Sequence, residues 1–127
     1  MAGDSPSAVA RHFTILIVED DREERDVIAQ MLSDFKVLTA NDGYEAIRLL
    51  VAYHVDVMLT DIAMPGLSGY ELAAQAKLVQ PRVRILFATG FDGSAPGKEM
   101  ASGYGKIIQK PFRAGELHSE IEQVLDG

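Results

Sequence analysis

Short apolar runs, rich in β-branched residues and each ended by a polar residue or a turn signal, recur along this chain with helix-like segments between them. Phe13–Val18 (FTILIV) stops at Glu19-Asp20-Asp21, Val37–Ala40 at Asn41-Asp42-Gly43, and Val55–Thr60 at Asp61. Val83–Ala88 stops at Thr89-Gly90, and Lys106–Gln109, half of it polar, reads as a short fifth strand before Lys110-Pro111. Continuous apolar runs of this length suit strands buried on both faces. The intervening segments carry apolar residues at helical spacing. Asp21–Asp34 has Val27, Ile28, Met31 and Leu32, with Asp21 as a cap; the next has Ala46, Ile47, Leu49 and Leu50. Tyr70–Gln80 is stopped by Pro81, and Glu116–Leu125 carries Leu117, Ile121, Val124 and Leu125.

Strands alternating with helices require crossover connections, hence a parallel sheet with helices on both faces. The expectation is a five-stranded doubly wound α/β fold. One place resists the alternation. Phe91–Gly105 holds Gly93, Gly97, Gly103, Gly105 and Pro96, all poor helix residues. The fourth helix is therefore expected to be short or irregular.

The 127 residues suffice for one domain. Residues 1–12 read as a disordered tail and 13–127 as the domain. Cysteine is absent, which excludes disulfides, zinc fingers and thiol nucleophiles and fits a reducing, cytoplasmic setting. No apolar run approaches the ~20 residues of a membrane helix, so no membrane partner is expected. With 19 acidic against 12 basic residues, no nucleic-acid surface is expected either, since phosphate contacts need clustered Lys and Arg.

In an open parallel sheet the carboxyl ends of the strands form the ligand-binding edge. Strand one delivers Glu19 and Asp20 there, strand three Asp61, strand four Thr89 and strand five Lys110. Carboxylates brought together repel, and a divalent cation relieves the repulsion; Mg²⁺ takes oxygen ligands and accepts a phosphate oxygen. Lys110 can pair with a carboxylate or a phosphate, and Thr89 offers a hydroxyl. A carboxylate can itself act as a nucleophile and form an acyl phosphate. Singly, each residue has an ordinary reading: helix cap, turn former, strand end or solvated lysine. Their order and their places at strand ends point to phosphoryl transfer onto an aspartate.

Four motifs, ILIVEDD (Ile15–Asp21), LTDIAMPGLSG (Leu59–Gly69), FATG (Phe87–Gly90) and KPF (Lys110–Phe112), resemble the bacterial response-regulator receiver domain. The resemblance covers Phe13 to Leu125. It implies a flavodoxin-like sheet of order 2-1-3-4-5, of single-domain or hybrid-kinase type. It implies Asp61 as phosphoacceptor and Mg²⁺ held by Glu19, Asp20, Asp61 and the carbonyl of Ala63. Thr89 and Lys110 would contact the phosphoryl group, and Lys110-Pro111 would be cis. The implied partner is a histidine kinase or a histidine phosphotransfer protein, which makes the chain a signalling module rather than an enzyme.

Three positions depart from the family pattern. Glu19 replaces the usual Asp, its longer arm reaching metal through water. Ile107 replaces an aromatic residue, for which Tyr104 or Phe91 would substitute. The segment after FATG is glycine-rich, similar to the FATGUY receivers of stress signalling, and residues 91–105 are the segment expected to respond to phosphorylation. Only Asp126 and Gly127 follow Leu125, so the chain reads as a stand-alone regulator or a piece of a longer protein.

Other classes fit less well. A small aspartyl-phosphate phosphatase needs a second acid where Ala63 stands. An FMN-binding protein needs a phosphate loop where EDDRE stands. A non-phosphorylated pseudo-receiver would not keep all the site positions filled.

Overall fold

The computed structural model describes residues 12–90 and 103–126. Its elements, in chain order, are β1 (Thr14–Val18), α1 (Arg22–Met31), β2 (Lys36–Ala40), α2 (Gly43–Ala52) and β3 (Val57–Asp61). α3 (Gly69–Val79), β4 (Arg84–Thr89), β5 (Gly105–Gln109) and α4 (Ala114–Asp126) follow. The strands form one parallel sheet of order β2-β1-β3-β4-β5, as expected. The helix expected within Phe91–Gly105, the response to phosphorylation placed there and Phe91 itself lie outside the described residues, apart from 103–105. The tail lies outside them too, apart from His12.

Period-two alternation explains why the strands read as unbroken apolar runs. In β1, Leu16 and Val18 pack under α2 and α3 with Met58, Ile85 and Phe87. Ile15 and Ile17 point the other way, into a cluster with Val57, Leu59, Leu86, Leu117 and Ile121 beneath α1 and α4. Both faces are covered, so nearly every β1 residue is buried. Each fully buried Leu or Ile contributes roughly 1.5–3 kcal/mol.

The helix starts follow from caps. Asp21 Oδ1 accepts from the Glu24 amide at 3.0 Å, and Asp42 Oδ1 from the Glu45 amide at 2.8 Å. Ser68 and Glu71 form a reciprocal capping box on α3. α1 ends at Met31 rather than Asp34, with Leu32 as its C-cap. β3 starts two residues later than its apolar run, because the ladder begins where Val57 pairs with Ile15 and Arg84. Val55 lies in the preceding loop and is buried in the α2–α3 cluster, its amide donating to Gln80 Oε1 at 3.0 Å. As a result Asp61 is the last residue of β3, in register with Ala88.

Candidate functional site at the carboxyl edge of the sheet

Glu19 follows β1 directly, and its amide continues the β1–β2 ladder by donating to Ala40 O at 3.1 Å. Its side chain is almost wholly buried. Glu19 Oε2 accepts from the Asp21 amide at 3.0 Å, and Arg25 Nη1 donates to the Glu19 carbonyl at 3.0 Å. Asp61 Oδ1 accepts from the Ile62 amide at 2.8 Å. The next helix holds this turn in place, since the Gly69 amide donates to Ile62 O at 2.8 Å. A Cβ at Gly69 would stand 2.3 Å from Asp61 O, so only glycine permits that approach.

Lys110 arrives from the opposite side. Its amide donates to Thr89 O at 2.7 Å, and the Lys110–Pro111 peptide is cis. Its ammonium lies 2.9 Å from Glu19 Oε1, 3.2 Å from Glu24 Oε1 and 3.5 Å from Asp61 Oδ2. Carboxylate oxygens of Glu19, Asp20 and Asp61 lie within 4.8 Å of one another. Thr89, buried, sits at the same edge one residue beyond the Asp61–Ala88 pair. Ala63 is exposed, two residues past Asp61.

The electrostatics reflect crowding. Burial pushes the Asp61 carboxyl above its usual range, and the Asp20 charge adds to this; Lys110 and the Ile62 amide pull it back only in part. Burial likewise pushes Glu19 up, helped by the Asp61 charge and opposed by Lys110 and the Asp21 amide. Burial alone would lower the Lys110 ammonium. The hydrogen bond that it donates to Glu19 and the charge of Asp61 outweigh this, and the group is raised to about 12. Two carboxylates are thus held at a cost beside one strongly retained cation. A further cation among Glu19, Asp20 and Asp61 would remove that cost, and an all-oxygen donor set suits a hard divalent ion.

The model of the response regulator receiver domain matches residues 15–122. The chain belongs to that family. This receiver domain is 34% identical over 114 residues to the response regulator receiver protein CpdR of Brucella abortus, covering 87% of this chain and 95% of that protein. It is 32% identical over 115 residues to the cell cycle response regulator CtrA of Brucella ovis, of which it spans about half, 49%. Among solved structures it resembles the chemotaxis protein CheY4 of Vibrio cholerae, at TM-score 0.82 and 27% identity over 89% of this chain and 98% of that one. No helix among the described residues of this receiver is long and apolar enough to cross a membrane.

The sequence reading of this receiver missed two neighbours of the site, Glu24 and Arg25. The signal was present. Both lie at the start of α1, which opens directly after the acidic run Glu19-Asp20-Asp21. At the position of Ile107, the side chain packs partly buried against the α2–α3 cluster, together with Tyr104. Tyr70 fills the same cluster, its ring 5.3 Å from that of Phe87.

Proposed function

We propose that this receiver takes a phosphoryl group from a phosphohistidine of a histidine kinase or histidine phosphotransfer protein onto Asp61. The observation that carries this reading is the convergence of Asp61 with Glu19, Asp20 and Lys110 at one sheet edge. An Asp61 carboxylate oxygen attacks phosphorus, the P–N bond breaks, and the imidazole leaves as the neutral ring once protonated. Glu19, Asp20, Asp61 and the Ala63 carbonyl would hold Mg²⁺, which when bound neutralises charge on the phosphoryl oxygens. Lys110 pairs with a phosphoryl oxygen, and the Thr89 hydroxyl bonds another. The Glu19 arm is anchored by the Asp21 amide and by Lys110, which holds its carboxylate at the edge of the cluster.

On this reading the chain is a cytoplasmic signalling module that changes a protein contact rather than turning over a diffusible substrate. Intact-mass spectrometry after exposure to acetyl phosphate and Mg²⁺ tests it. The expected result is a gain of one phosphoryl group, lost when Mg²⁺ is chelated. No gain under any condition overturns the assignment.

A further inference from the structure

Three carboxylates face the Lys110 ammonium, and one of them stands apart from the acidic cluster. Glu19 and Asp61 both belong to the group whose oxygens lie within 4.8 Å of one another, whereas Glu24 does not. Glu24 projects from the first turn of α1 and holds Lys110 Nζ at 3.2 Å. Its side chain is 48% exposed, against 2% for Glu19 and 15% for Lys110.

We infer that Glu24 is a positioning residue that competes with an incoming phosphoryl group for Lys110, and so sets how tightly the site retains that group. This role presupposes that Asp61 is the phosphoacceptor.

An ammonium has three N–H donors. In this structure three carboxylates surround them. A phosphoryl group on Asp61 takes the place of that carboxylate and, carrying more negative charge, draws the ammonium toward itself, in competition with Glu19 and Glu24. Glu19 is buried, and stripping its carboxylate of a cation leaves a charge that water does not reach. Glu24 is half exposed, and water takes over its oxygens when Lys110 leaves. Glu24 is therefore the partner released, and its hold is the resistance to release. Exposed pairs of this kind are weak, equivalent to roughly two- to fivefold in an equilibrium. They are also sensitive to salt. Glu24 lines the mouth of a groove with Val27, Met31, Pro111 and Phe112, where solvent ions reach the pair.

Two variants separate this contact from general charge. Glu24→Gln keeps the shape and removes the charge that holds Lys110. Glu23→Gln removes the same charge from the neighbouring residue, which lines the same groove. Two measurements are needed on the intact chain. In the metal-free ¹⁵N-labelled protein at low temperature, the Nζ–H signal of Lys110 should shift in Glu24→Gln and stay in place in Glu23→Gln. With Mg²⁺ present, beryllofluoride should bind about two- to fivefold more tightly to Glu24→Gln than to Glu23→Gln, with the gain shrinking at high salt. An unmoved Lys110 signal overturns the role, as does beryllofluoride affinity that is equal or weaker in Glu24→Gln. A wild-type chain that takes neither beryllofluoride nor phosphate overturns the phosphoacceptor reading and this role together. Equal binding by both variants overturns this role alone.

Discussion

The two edges of the sheet use polar residues in opposite ways. At the amino edge, Asp56 and Gln80 serve the backbone. Asp56 Oδ2 accepts from the Thr14 amide at 2.8 Å, while its own amide donates to Thr14 O at 2.9 Å. Gln80 Oε1 accepts from the Val55 amide at 3.0 Å, and its Nε2 donates to Leu50 O and Tyr53 O, both at 2.6 Å. These side chains close loops and tie the ends of α2 and α3 together. At the carboxyl edge the acids face one another, and burial with mutual repulsion raises Glu19 and Asp61. A polar residue that meets its partners stabilises a fold. A set with more acids than its one lysine can match is held there by the rest of the fold, and that is the mark of a binding site.

The contrast is broken most sharply at Asp61. Asp61→Asn should abolish the phosphoryl mass gain while metal-free stability holds or rises, because the swap removes a raised carboxylate and keeps its shape. Full phosphorylation of the variant, seen by intact mass, would undo the assignment. Next comes Gln80→Ala at the opposite edge, which leaves three backbone groups without their partner. Urea denaturation should show a loss of about 2 kcal/mol, with phosphorylation by acetyl phosphate unchanged in the folded protein. Asp56→Ala should lose less, about 1 kcal/mol in the same assay, because one backbone amide loses its acceptor and the exposed His54 contact adds little.

The mildest effect is on pH. Raised carboxyls mean that the folded state binds more protons than the unfolded state above the ordinary carboxylate range. Metal-free stability should therefore fall as pH rises through the folded-state values of Glu19 and Asp61, and Asp61→Asn should flatten that fall. The sign is opposite to that of the usual salt-bridged carboxylate. Lys110 contributes stability that is fully present below its ordinary value of 10.5 and is lost as pH rises through about 12. Thermal melts between acid and neutral pH, with chelator, check the first slope. A curve for Asp61→Asn parallel to wild type would contradict it.

Much of this was legible in the chain because each signal was local. A strand covered on both faces must be apolar throughout, so its end shows wherever a charge appears; Glu19 and Asp61 were found that way, whereas Lys110 follows an edge strand that already holds Lys106 and was marked by its place before Pro111. The caps Asp21 and Asp42 were readable for the same reason, since each acts three residues along. What escaped was set by distance. Gln80 reads in sequence as the last residue of a helix, but its work is done on Leu50, 30 residues away. Glu24 looked like any acid in a first helical turn, and only the return of β5 brings Lys110 to it across 86 residues. Val55 was read as strand because it is apolar. It lies in a loop, yet it is buried in the α2–α3 cluster, and no pattern of hydrophobicity distinguishes the two.

The turn after Asp61 is tied at both ends. Gly69 donates back to Ile62, and the Ser68–Glu71 box fixes the first turn of α3. Within the turn, Gly66 takes a backbone angle of φ 81° that side chains rarely adopt. Met64 packs against the α2–α3 cluster and Leu67 lies against Gly43, whereas the exposed Pro65 rides on a closed ring whose anchor points do not depend on it. Its side chain can be exchanged while Asp61 stays where it is. A change there alters what this rim presents to solvent and leaves the backbone beneath it in place. Gly66 and Gly69 are closed to such exchange, the first by its backbone angle and the second because any side chain there would press directly on the backbone that carries Asp61.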